Sequence, residues 1–138
     1  MRYLGIDLGT KTIGLAVSDK SGVLATSYKV LHHDNNEESC LDELKKIVES
    51  FEIDAIVLGL PKNMNNTLGV RANNTLKFKD FLEKNLNLKV YLEDERLTTK
   101  SAEAVLIKGD ISRKKRKQVI DKVAATIILQ SFLDKRRK

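Results

Sequence analysis

The chain has 138 residues, 41% apolar and 32% charged, and its 25 lysines and arginines outnumber 19 acids for a net charge of +6. That size suits one ordinary domain, the composition excludes a disordered chain, and no apolar run approaches the ~20 residues a membrane-spanning helix needs. A single cysteine, Cys40, excludes an internal disulfide and a thiolate metal cage.

Residues 2–7 read as a strand and 12–18 as a second, joined by a tight turn at Leu8-Gly9-Thr10-Lys11. A third strand, 23–32, follows the Lys20-Ser21-Gly22 turn, and short turns of this kind make antiparallel neighbours. After His32 and His33, apolar residues recur at Cys40, Leu41, Leu44, Ile47, Val48 and Phe51, one face of a helix with Glu37 and Glu38 in its first turn. This places Cys40 in the core.

The apolar run Ile53 to Leu60 suits a strand buried on both faces, as in parallel sheets. The polar loop from Lys62 to Asn66, a candidate lid at Asn63–Asn66, leads to a helix over 69–85 and a fifth strand over 88–92. Thr98 or Thr99 can cap a helix running to about Lys108. Gly109-Asp110 breaks it, and a last helix runs from 113 to 133. This order predicts an α/β domain spanning 1–138: a mixed five-stranded sheet, an antiparallel meander and then parallel strands, flanked by helices.

Ligands of such sheets gather beyond the carboxyl ends of the parallel strands. Asp7 stands there, inside an apolar, glycine-rich stretch where folding alone gives no reason for a charge. A carboxylate withdrawn from water must be paired or must hold a cation, which makes Asp7 the first candidate metal ligand. The alternative is a turn aspartate bonding its own backbone. Glu93-Asp94-Glu95 ends the fifth strand, and alternation sends Glu93 and Glu95 to one side and Asp94 to the other without choosing between them. Asp121 precedes Ala124, Ala125 and Ile128 at helical spacing, so it belongs to the apolar face of the last helix.

Carboxylates from separate elements suit Mg²⁺ or Mn²⁺, and a pair of such ions can activate water against a phosphodiester. The basic run Arg113-Lys114-Lys115-Arg116-Lys117, with Lys11, Arg71 and Arg96, is the candidate phosphate-binding set. Acids that need a metal beside bases that need phosphate point to a nuclease. His32 and His33 are remote in sequence from these acids and read as loop residues. No serine or cysteine has a credible histidine partner, and 5% aromatic residues are too few for a base-stacking platform.

Four stretches in order resemble the YqgF family of pre-16S rRNA nucleases and Holliday-junction resolvases, within the ribonuclease H-like fold. They are Gly5-Ile6-Asp7-Leu8-Gly9-Thr10 with Ile13 to Asp19; Gly59-Leu60-Pro61 with Gly69-Val70-Arg71-Ala72; Asp94 to Thr99 with Ala102; and Arg113 to Lys117 with Asp121, Ala124-Ala125 and Ile128-Leu129-Gln130. The resemblance implies that Asp7, Glu95 and Asp121 form a catalytic Mg²⁺ or Mn²⁺ site, which selects Glu95 from its cluster, and that Arg96, Thr98 and Thr99 organise the loop beside it. Thr12 stands where the family usually has arginine, with Lys11 as the substitute.

The implied activity is processing of the 5′ end of pre-16S rRNA, and a cytoplasmic location is expected because Asp7 interrupts the N-terminus where a signal peptide would carry its apolar stretch. The alternatives are junction resolution and nucleic-acid binding without catalysis. The Asp-x-Gly-Thr opening also resembles the phosphate loop of the actin, Hsp70 and sugar-kinase superfamily, whose members close a nucleotide between two such domains. No apolar stripe is plainly left over for an interface, which favours a monomer.

Overall fold

The computed structural model describes residues 1–9, 11–34, 36–61, 69–94 and 113–136, the last segment from 123 onward for its side chains. Three strands open the chain, β1 (Tyr3–Leu8), β2 (Thr12–Ser18) and β3 (Ala25–His32). A 3₁₀ turn (Glu37–Cys40) leads into α1 (Leu41–Phe51), then β4 (Ala55–Leu60), α2 (Val70–Leu86), β5 (Lys89–Asp94) and α3 (Arg113–Arg136). The sheet order is β3-β2-β1-β4-β5. β1 pairs antiparallel with β2, and β2 with β3, whereas β1/β4 and β4/β5 are parallel. This is the expected mixed sheet.

Several boundaries differ from the sequence reading: β1 is Tyr3–Leu8 rather than 2–7, β4 starts at Ala55 rather than 53, and α2 is Val70–Leu86 rather than 69–85. β3 starts at Ala25 rather than at residue 23, because the Asp19 carboxylate accepts the amides of Val23 (2.8 Å) and Leu24 (3.0 Å) and keeps both in the turn. Those two bonds, Leu24's the stronger influence, hold the Asp19 carboxyl below its ordinary value. β5 runs on to Asp94 rather than stopping at 92, pairing with Leu60 of β4, and α3 continues to Arg136 rather than 133. The predicted helix from Thr98 or Thr99 to Lys108 and the Asn63–Asn66 lid lie outside the described residues.

Each face of the sheet carries its own core. On one side Leu4, Ile6 and Leu8 of β1 join Ile13, Leu15, Ile56 and Leu58, closed over by Leu44 and Ile47 of α1 and Phe78 and Leu82 of α2. Cys40 is buried here, as expected, and burial pushes its thiol pKa up. On the other side Tyr3, Ala16, Ala25, Ala55 and Val57 meet Ala125, Ile128, Leu129 and Leu133 of α3. β4 is buried at all six positions because it lies between both layers. Glu83 of α2 accepts from Lys79 (2.9 Å) and from the Val90 amide (3.2 Å), fastening α2 to β5.

Candidate functional site

Asp7 is the penultimate residue of β1, opposite Gly14 of β2. It is therefore a residue of the strand rather than of the turn that follows. Strand alternation puts it on the same face as Tyr3 and Gly5, under α3. That face is crowded at Gly5: a Cβ there would stand 2.8 Å from the Cβ of Leu129 and 3.0 Å from the carbonyl oxygen of Ala125. Only glycine on the strand and alanine on the helix allow backbones so close. Asp7, two residues further along, is half-buried.

The direction of α3 follows from its contacts. Phe132 packs edge-on against Tyr3, with ring centroids 5.6 Å apart, whereas Leu129 and Ala125 lie over Gly5. Moving back along α3 thus moves forward along β1, from Tyr3 toward Asp7. Position 121, one turn before Ala125, shares its helix face and continues in that direction. The side chain of Asp121 lies outside the described residues, as do those of Arg113, Lys114, Lys115, Arg116 and Lys117.

Ile6 aligns with Leu58 and Leu58 with Leu92, so β1, β4 and β5 end along one edge of the sheet. Asp94 closes β5 there. Glu93 faces α3 and is only 5% exposed, and the Lys135 ammonium is ion-paired with it. Glu95, Arg96, Thr98 and Thr99 lie outside the described residues.

Two of the candidate phosphate-binding residues are described, and both are exposed. Lys11 sits in the β1–β2 turn, and Arg71 in the first turn of α2. Because β4 runs up to the carboxyl edge before α2 begins, both belong to the same end of the sheet as Asp7. Among the described residues no three histidine, cysteine, aspartate or glutamate side chains gather as a metal group. Asp7 is the one member of the predicted triad with a described side chain.

His33 reads as a loop residue in the sequence, yet it packs against this turn: its ring Nε2 lies 3.2 Å from the Gly9 carbonyl oxygen and its amide donates to the Lys11 carbonyl at 2.9 Å. The only advance signal was that β3 runs back beside β2 and must end near residue 11.

A five-stranded mixed sheet whose first strand carries an aspartate beneath the last helix defines an α/β domain of the ribonuclease H-like kind. The structural comparison agrees. Thermus thermophilus RuvC in complex with a Holliday junction substrate superposes with a TM-score of 0.58 over 99% of this chain and 96% of that one, at 16% identity, a likeness of fold. A ROK family protein from Streptococcus pneumoniae in complex with sucrose reaches 0.52 at 16% identity, covering 81% of this chain but 40% of that one.

The family model described as "RuvX: Holliday junction resolvase" matches residues 1–135, and the chain belongs to this RuvX (YqgF) family. A Geobacillus sp. relative named "Putative pre-16S rRNA nuclease" is 51% identical over 138 residues, covering 99% of this chain and 100% of the relative. A Clostridium acetobutylicum relative of the same name is 48% identical over 134 residues, 97% and 98% of the two chains.

Proposed function

We propose that this chain is a metal-dependent nuclease that processes the 5′ end of pre-16S rRNA, acting as a cytoplasmic monomer. The names of full-length relatives near half identity support the substrate. The observation that carries the chemistry is the placement of Asp7: a half-buried carboxylate on the one face where small residues draw a helix down onto the strand. Asp7, Glu95 and Asp121 would hold Mg²⁺ or Mn²⁺. The donor set is hard oxygen from a strand, a strand end and a helix, which fits those ions and not a soft metal.

Held by these carboxylates, such ions would supply activation of a water and charge stabilisation at the leaving oxygen. The chain's own work is positioning. Gly5 and Ala125 set the distance between β1 and α3, and with it the span between positions 7 and 121. Lys11, Arg71, Arg96 and the run 113–117 hold the phosphodiester backbone at the carboxyl edge. Phosphate contacts of this kind add salt-dependent affinity that does not read sequence, so recognition rests on the shape of the RNA.

The description of the family model favours one second reading, cleavage of a four-way DNA junction, which requires two sites and hence a dimer. Labelled precursor rRNA, single-stranded RNA and a synthetic junction, each with Mn²⁺, Mg²⁺ or EDTA, separate the readings. Cleavage of the precursor that EDTA and Asp7→Asn both abolish is the expected result. Preference for the junction selects the second reading, and binding without cleavage of any substrate rejects both.

A further inference from the structure

We propose that His33 is a positioning residue for the candidate site, holding the β1–β2 turn that separates Asp7 from Lys11. This rests on the nuclease reading for its consequence, though not for its geometry. His33 follows β3 directly, and Thr12 of β2 faces His32, so the residue after β3 arrives beside Lys11. Its amide donates to the Lys11 carbonyl (2.9 Å) and extends the β2–β3 ladder by one rung. Its ring then reaches across the turn. Nε2 is 3.2 Å from the Gly9 carbonyl oxygen, while Nδ1 is 3.1 Å from the Asn36 amide nitrogen.

These partners select the ring's tautomer. A carbonyl can only accept and a backbone amide can only donate, so these partners fit the tautomer in which Nε2 carries the hydrogen and Nδ1 offers its lone pair. One residue therefore grips both flanks of the turn, Gly9 through its ring and Lys11 through its backbone. It also ties them to Asn36, whose carbonyl accepts from the Ser39 hydroxyl (2.6 Å) and amide (3.1 Å) at the start of the 3₁₀ turn. The turn itself is tight, since the Gly9 amide donates to the Thr12 carbonyl at 2.7 Å and a Cβ at Gly9 would meet Thr12 Oγ1 at 3.0 Å. A two-point brace fixes where Lys11 leaves the backbone relative to Asp7 before any substrate arrives, which is the preorganisation that phosphate positioning needs.

The test compares wild type, His33→Ala, His33→Gln and the exposed neighbour His32→Ala. Three readouts are taken: Mn²⁺-supported cleavage of precursor rRNA resolved into kcat and KM, thermal stability, and amide exchange at Gly9. Losing one such hydrogen bond corresponds to about a two- to tenfold effect. His33→Ala should raise KM within that range and speed Gly9 exchange similarly. His33→Gln, which keeps a donor at the reach of Nε2, should recover most of both, and His32→Ala should match wild type. Unchanged KM and unchanged exchange in His33→Ala would overturn the proposal, as would a KM defect that His33→Gln fails to relieve while its melting temperature is normal. If wild type cleaves nothing, the nuclease reading fails by itself, and Gly9 exchange still decides whether His33 holds the turn.

Discussion

The two faces of the sheet are built from the same five strands but solve opposite problems. Under α1 and α2 the strands present Leu4, Ile6, Leu8, Leu15, Ile56 and Leu58, large side chains that fill the space between sheet and helices. Under α3 they present Tyr3, Gly5, Ala16, Ala25 and Ala55, with Ala125 facing them from the helix. The first face gains stability from volume. The second gives up volume for proximity, and the polar groups sit there: Asp7 at the carboxyl end of β1, and Glu93 buried against Lys135. A carboxylate in such a layer needs a cation or hydrogen-bond donors to offset its lost hydration.

Substitutions on each face should therefore break different properties. The largest effect belongs to Asp7→Asn, which keeps the shape and removes the charge. Cleavage rate should fall by about a thousandfold, in the range of losing a principal transition-state stabiliser, while the melting temperature stays level or rises. A nuclease assay beside calorimetry reads both, and retained activity would remove Asp7 from the site.

Leu58→Ala on the opposite face should do the reverse. A cavity among Leu4, Ile6 and Phe78 should cost about 2–5 kcal/mol in urea unfolding, with kcat per folded molecule unchanged. Gly5→Val tests the contact between the two regions, since its Cβ would lie 2.8 Å from that of Leu129. Forcing α3 outward should cost about 1–3 kcal/mol and should also lower kcat, a combination that Leu58→Ala does not produce. A stability loss without a kcat change would mean that helix distance does not govern the site.

The smallest effect is one of pH. Asp19 is held below its ordinary value of 3.8 by the Leu24 and Val23 amides. A depressed carboxyl contributes stability that is present above its unfolded value and lost as pH falls through the folded one. Acid titration of unfolding should show a slight decline beginning near that value, and Asp19→Asn should flatten it without altering cleavage at neutral pH.

Much of this was legible in the residues. The meander, the doubly buried β4 and the place of Asp7 at a strand end followed from alternation, turn chemistry and the cost of burying a charge. Several boundaries did not follow, and for three of them the reason is a contact that periodicity does not reveal. Asp19 accepts the amides of residues 23 and 24 and delays β3. β4 offers a partner as far as Leu60 and so lengthens β5 to Asp94. Arg136 lies over the rings of Tyr3, Tyr91 and Phe132, at the carboxyl end of an α3 that runs past residue 133. The role of His33 was illegible for a like reason, because its partners are Gly9 and Lys11, more than twenty residues earlier.

By itself the sequence determined the α/β class, the strand order along the chain and the oddity of an aspartate among apolar residues, since these depend on periodicity and on the local cost of a charge. Only the tertiary structure decided that Glu93 is paired with Lys135, that Gly5 admits α3, and that His33 closes the turn beyond Asp7. Those are relations between distant segments, and spacing along a chain carries no distance between elements until the sheet and its helices have packed.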